Sequence, residues 1–253
     1  MTGTENSKER IDDIGFSGFR LVQRPEWFCY GIDAVLAADF ARVKEGGVVA
    51  DLGCGTGIIP LVLMHKYSPA KVFGVEVQPE VAALARKTVG LNGLEDRIEI
   101  VEAEAAEAPD KIAGLGFEKG SLDAVVTNPP YVGGGEGLLS KNRHKAIARH
   151  EVVGCLEDFI RSGAELLRDE GDFYMINRPS RLVDVVFLCR TFRLEPKELR
   201  FVQPSEGKKP NIFLIHCVKN GRPELKFSDP LCVYGPDGKY SEEVMKIYER
   251  KER

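Results

Sequence analysis

The sequence has no Cys-x-x-Cys pair, although six cysteines (Cys29, Cys54, Cys155, Cys189, Cys217 and Cys232) are scattered through apolar segments. That spacing argues against a zinc site and a disulfide framework, and it fits reduced thiols in a cytoplasmic protein. No apolar run reaches the length of a membrane span, and Met1 to Arg10 is polar and charged where a signal sequence would be apolar. A global basic field is missing as well, since 35 Lys and Arg against 39 Asp and Glu leave a formal net charge of −4. Long-range attraction therefore cannot recruit a nucleic acid, and such a partner would have to be met by a local patch. Neither a repeat nor a linker divides the chain. Its 253 residues, 43% hydrophobic and 29% charged, read as one α/β domain over 1–253, with 1–15 disordered and 16–45 a strand and helix extension.

The punctuation of the chain is that of a doubly wound sheet. A short apolar strand, Val48-Val49-Ala50-Asp51-Leu52, runs into Gly53-Cys54-Gly55-Thr56-Gly57 and then into the helical Ile58 to Met64. Strand, glycine loop and helix in that order open a ligand-binding crevice, because glycine permits both the tight turn and close approach of backbone to ligand. A dinucleotide fingerprint spaces its glycines Gly-x-Gly-x-x-Gly around a pyrophosphate. Here the spacing is Gly-x-Gly-x-Gly, entered by Asp51. A carboxylate at that entrance repels a diphosphate but accepts hydrogen bonds from a cationic amino acid moiety, so S-adenosylmethionine (SAM) suits the loop better than NAD. Cys54 has no neighbouring base in sequence and reads as structural.

Val72 to Glu76 forms the next strand, ending in an acid 25 residues after Asp51. A strand-end acid at this position can take both hydroxyls of a ribose, the plain alternative being an exposed carboxylate. Gln78-Pro79 starts a helix to about Asn92. Beyond the third strand, Ile98 to Val101, either Glu104 or the backbone of Ala105 could meet an adenine amine; the Glu- and Ala-rich stretch 102–110 also reads as a solvated segment.

Leu122 to Val126 then delivers Thr127-Asn128-Pro129-Pro130-Tyr131 to the end of a buried strand. Proline fixes its own φ and extends the residue before it, so Asn128 and Pro129 form a stiff corner. Its side-chain amide oxygen and fixed carbonyl, with the flat ring of Tyr131 alongside, suit a planar amine. The same residues also make an ordinary turn. Behind the corner, Lys141, Arg143, His144, Lys145, Arg149 and His150 follow a glycine-rich run, as a basic lid able to hold a phosphate backbone or as a solvated charge run. Further on, strands at Asp172 to Ile176, Leu199 to Val202 and Ile212 to Val218 are expected, the last two as an antiparallel hairpin. His216 is expected to be a satisfied sheet histidine, and Ser241 a helix cap.

The run Asp51 to Gly57, with Gly74-Val75-Glu76 and Asn128-Pro129-Pro130-Tyr131, resembles the class I SAM-dependent methyltransferases that act on exocyclic or amide nitrogens. Within that group the chain is similar to the bacterial tRNA adenine-N6 methyltransferases of the YfiC type, which modify A37 beside the anticodon of a valine tRNA. The likeness extends over Gln23 and Tyr30 to Leu36, over Ala148-Arg149-His150-Glu151, and over the tail Gly235 to Val244. It implies a Rossmann-like, doubly wound, seven-stranded sheet with one antiparallel strand. It also implies SAM contacts at Tyr30, Asp33, Asp51, Gly53, Cys54, Gly55, Gly57, Glu76, Val77, Glu104, Ala105 and Asn128. Asn128, Pro129, Pro130 and Tyr131 would be catalytic, Lys141, Arg143, Lys145, Arg149 and His150 would meet tRNA, and the enzyme would be monomeric and metal-free. Alternatives within the same residues are N-methylation of a protein glutamine or of guanine N2, and a SAM-binding RNA module without catalysis.

Overall fold

The computed structural model describes residues 9–27, 29–130 and 156–249. Strands β1 (Arg10–Asp13) and β2 (Arg20–Gln23) form a small antiparallel ribbon. Disorder over 1–15 is thereby overturned for residues 10–15. Ile14 and Phe16 are fully buried, and the buried Gln23 donates its amide to Asp12 Oδ2 at 2.5 Å. The surrounding charges of this segment hide two apolar anchors from a composition-based reading.

The main sheet contains β3 (Val48–Leu52), β4 (Lys71–Glu76), β5 (Ile98–Glu102), β6 (Leu122–Thr127), β7 (Leu167–Asn177), β8 (Leu194–Ser205), β9 (Ile212–Lys219) and β10 (Lys226–Tyr234). Their spatial order is β10-β8-β9-β7-β6-β3-β4-β5. Strand β9 runs antiparallel to β7 and β8, and every other pairing in this sheet is parallel. The expected doubly wound sheet with one antiparallel strand is present, extended at its edge by β10. That eighth strand escapes the sequence pattern because Ser228-Asp229-Pro230 interrupts it, and the register shifts between Ser228 and Leu231. Proline, which lacks an N–H, is tolerated in strands at edges and bulges, and here it has both.

Side chains alternate across a strand, so each strand feeds two cores. On one face, Val49, Val72, Ile98, Ala124 and Tyr174 pack with helices α1 (Ile32–Phe40), α2 (Ile58–Tyr67) and α3 (Pro79–Leu91). The opposite face carries α4 (Ala108–Ala113), α5 (Leu156–Leu166) and α6 (Leu182–Thr191) against Ala50, Phe73, Val125 and Phe173. A last helix, α7 (Glu242–Ile247), returns to the first face; Ser241 Oγ accepts from Val244 N at 3.3 Å to cap it. His216 is held as a sheet residue, with Nε2 2.7 Å from Asp172 Oδ1 and its ring stacked on Tyr174. No helix among the described residues is long and apolar enough to cross a membrane.

The chain proceeds from β3 to β4 to β5 in one direction and then returns to place β6 on the other side of β3. Helices consequently leave opposite faces at the carboxyl ends of β3 and β6, and a crevice opens there.

Candidate functional site

The glycine loop crosses the carboxyl end of β3. Gly53, Gly55 and Gly57 have φ of 81°, 56° and 94°, a left-handed region that strains other residues. Gly53 N and Cys54 N both donate to Val75 O at 2.9 Å, strapping the loop to β4. A methyl group added at Gly74 would lie 2.9 Å from Cys54 Sγ, so the small residue in β4 makes room for the loop's thiol. Burial pushes that thiol's pKa well up, which leaves Cys54 an inert packing group. At Gly55 a Cβ would meet nothing within 4 Å, so this part of the loop faces open space. Gly57 begins α2 with no side chain capping its first turn.

Two carboxylates stand below the loop. Asp51 is in register with Gly74 on β4 and with Val126 on β6, so Asp51 and Glu76, two residues on from Gly74, share one face of the sheet. Glu76 Oε2 accepts from Gly55 N and Oε1 from Gln78 N, each at 3.0 Å. The Gln78 side chain and Val77 N also hydrogen-bond this carboxylate. Burial raises the Glu76 pKa against the pull of these N–H donors. Asp51 is fully buried, and neither of its oxygens has a hydrogen-bond partner among the described residues. Burial, followed by the neighbouring Glu76, pushes its pKa well above the carboxylate range. A buried polar group without a partner is costly, and a donor arriving from a ligand would relieve that cost.

One strand away, β6 ends in Thr127, whose hydroxyl donates to Leu52 O at 2.8 Å and ties the ends of β6 and β3 together. Asn128 follows half-buried, then buried Pro129 and half-buried Pro130. On the far side, Ala103 N donates to Glu76 O at 3.2 Å, and Glu104 is exposed at the head of a 3-10 turn, Ala105–Glu107, where its N–H meets Glu107 Oε2 at 3.2 Å. The solvated reading of 102–110 holds for Glu104 but not for Ala105, Ala108 and Pro109, which are buried.

The structure therefore brings Asp51, the glycine loop, Glu76, the half-buried Val77, Ala105 and Asn128 to one edge of the sheet, at the ends of four adjacent strands. Tyr30 and Asp33 are half-buried at the start of α1; Tyr30 N donates to Gln23 Oε1 at 3.1 Å. Tyr131, Lys141, Arg143, His144, Lys145, Arg149 and His150 lie outside the described residues. Three contributors were not singled out in the sequence as site residues: Thr127, whose hydroxyl fastens the two strand ends; Phe159, which would stand 3.3 Å from a Cβ at Gly53; and Gln23, which holds the Tyr30 segment. Only Thr127 carries a local signal, as a polar residue closing an apolar strand.

No group of three or more His, Cys, Asp or Glu able to hold a metal ion occurs among the described residues. The family model described as methyltransferase small domain matches residues 33–193. A tRNA1(Val) (adenine(37)-N6)-methyltransferase from Porphyromonas gingivalis is 28% identical, over 94% of this chain and 94% of the relative. One of the same name from Haemophilus influenzae is 24% identical over 92% and 94% of the two chains. Among solved structures, a predicted O-methyltransferase from Agrobacterium tumefaciens is similar with a TM-score of 0.70 and 23% identity, covering 86% of this chain and 95% of that one. A geranyl diphosphate methyltransferase in complex with SAM follows at 0.54 and 16%, covering 74% and 84%. These structural likenesses concern the fold.

Proposed function

The chain belongs to the methyltransferase small domain family, and from that premise we propose that it transfers a methyl group from SAM to N6 of an adenine in tRNA, A37 beside the anticodon. The observation that carries the reading is the orphaned carboxylate of Asp51, buried below an open glycine loop and one strand from the Asn-Pro-Pro corner. Relatives named for methylation of adenine 37 in tRNA1(Val), matched over nearly the full length of both chains, support the choice of acceptor.

Bound SAM supplies an electrophilic methyl group on a sulfonium centre. The residues of the chain supply binding and alignment. Asp51 accepts hydrogen bonds from the cationic amino group of the donor, which removes the penalty for an unpartnered buried carboxylate. Gly55 leaves space for close approach of ligand to backbone, and Glu76, held in place by Gly55 and Gln78, accepts from the ribose hydroxyls. Asn128 Oδ1 and the Pro129 carbonyl accept the two N–H groups of the adenine amine. Its nitrogen lone pair, otherwise delocalised into the ring, is thereby turned towards the methyl group. Pro130 stiffens the corner, and Tyr131 stacks on the base, a contact worth about 1–3 kcal/mol. Correct positioning contributes roughly 7–11 kcal/mol; as N6 takes the methyl group the S–CH3 bond breaks, S-adenosylhomocysteine leaves, and one N6 proton passes to solvent. An unpaired loop adenine costs little to extrude. The acceptor sets the reaction in the cytoplasm, and size-exclusion chromatography with light scattering tests the expectation of a monomer.

The reading is tested by incubating the purified chain with radiolabelled SAM and total bacterial tRNA, then digesting the RNA and separating the nucleosides. Label in N6-methyladenosine is expected. Label confined to N2-methylguanosine, or transfer to protein glutamine and not to RNA, would overturn it.

A further inference from the structure

We propose that Arg178 and Arg181, after β7, together with Lys208 and Lys209, in the turn between β8 and β9, form the surface that holds the RNA phosphate backbone next to the target base. The inference rests on the reading of an RNA acceptor and adds where, on the described surface, that acceptor is gripped.

Strand pairing sets the positions. Strand β7 lies parallel to β6 with Met175 in register with Thr127, so Asn177 ends β7 level with the Asn128 corner and one strand away. The chain then turns through Arg178-Pro179-Ser180-Arg181 at the same edge of the sheet. Strand β9 runs antiparallel to β7, with Asn177 opposite Phe213, so the turn over residues 206–211 opens onto that edge too. At roughly 5 Å per strand the two cationic pairs stand about 5–15 Å from the corner. This distance reaches the phosphates of the nucleotides that flank an extruded base.

Both turns have a defined shape. Asn177 Oδ1 accepts from Arg178 N at 2.8 Å, and Arg181 N donates to Arg178 O at 2.9 Å. The buried Arg181 Nε lies 3.0 Å from Asp184 Oδ2 in an ion pair without hydrogen-bond geometry. Lys208 N donates to Ser205 O at 3.1 Å, and Arg178, Lys208 and Lys209 are exposed. Asp184 pairs with Arg181, and the exposed Glu206 lies two residues before Lys208. At the opposite edge Arg168 lies 2.9 Å from Asp123 and Arg190 3.1 Å from Glu195. In a chain of net charge −4, Arg178, Lys208 and Lys209 stand exposed on the edge where the Asn128 corner emerges.

The test is fluorescence anisotropy with end-labelled total tRNA, measured separately from methyl transfer. The variants are Arg178→Glu with Arg181→Glu, Lys208→Glu with Lys209→Glu, and the corresponding Gln pairs, which serve if a charge reversal disturbs folding. Lys226→Glu, exposed at the start of β10 on the opposite edge, is the control. Each reversal should weaken tRNA binding by at least about tenfold and flatten its salt dependence, while SAM affinity by calorimetry stays within about twofold. The Gln pairs should weaken it less, and Lys226→Glu should not.

Variants that bind tRNA as the control does would overturn the surface while leaving the methyltransferase reading intact. Failure of the unaltered chain to bind tRNA would overturn the surface outright. If the unaltered chain binds tRNA without methylating it, and the variants lose that binding, the surface stands and the proposed reaction falls.

Discussion

Asp51 and Glu76 lie on one face of neighbouring strands with both carboxylates buried, yet Glu76 accepts from the backbone N–H groups of Gly55 and Gln78 and Asp51 from none among the described residues. The difference separates a carboxylate already built into the loop from one that awaits a donor.

That asymmetry makes stability and binding depend on pH in opposite senses. Burial, and then Glu76, raises the Asp51 pKa above its ordinary 3.8, and burial raises that of Glu76 above 4.5. An acid whose pKa is raised on folding contributes stability that is complete below the unfolded value and is lost as pH rises through the folded one. Thermal melts of the ligand-free chain should therefore show stability falling as pH climbs above the ordinary carboxylate range. A cationic amino group beside Asp51 favours the ionised form, so SAM should bind more tightly as pH rises and binding should release protons, measurable by calorimetry in buffers of different ionisation heat. Asp51→Asn should weaken SAM by at least about tenfold and reduce the proton release. Wild-type affinity in that variant would remove Asp51 from the donor's site.

Asn128→Ala leaves the corner's prolines in place and removes one of the two acceptors for the target amine. Turnover should fall by about 100- to 1,000-fold, the range for a lost positioned polar group at a reacting centre. SAM affinity should change no more than a few fold. Unchanged turnover in single-turnover assays would show that the amine is aligned by other groups.

Gly74→Ala inserts a methyl group 2.9 Å from both Cys54 Sγ and Ile100 Cδ1. Overpacking of this kind costs about 1–3 kcal/mol, to be read from urea denaturation. Adding Cys54→Ala should recover part of the loss by removing the sulfur. Recovery stays partial because Ile100 and the Cys54 Cβ, at 3.2 Å, remain. Strict additivity of the two changes would show that the thiol does not sit on Gly74.

Thr127→Val keeps the shape of a fully buried side chain and deletes its 2.8 Å hydrogen bond to Leu52 O. A loss of about 1–3 kcal/mol is expected. Because the bond joins the ends of β3 and β6, the KM for SAM and kcat should both worsen, with hydrogen exchange quickening at the two strand ends. Exchange unchanged at Leu52 and Thr127 would make the bond incidental.

The sequence by itself determined the order of strands from β3 to β9, the position of the glycine loop, and Pro79 in the first turn of α3. Each of these follows from local chemistry: side-chain period, proline's fixed φ, and glycine's access to left-handed turns. Where local signals conflict, the elements were hidden. Strand β1 sits among charges, with its anchors Ile14 and Phe16 just beyond it, and β10 is broken by Pro230 at its bulge.

Only tertiary structure decided which strands are neighbours. Residues far apart in the chain, such as Leu52 and Thr127 or Met175 and Thr127, meet through ladder hydrogen bonds that no local pattern encodes. From that pairing come the unpartnered state of Asp51 and the placing of Arg178 and Lys208 on the edge where Asn128 emerges. A side chain's partners depend on what the fold packs around it, and for Asp51 the described residues supply Glu76 as a neighbour but no donor.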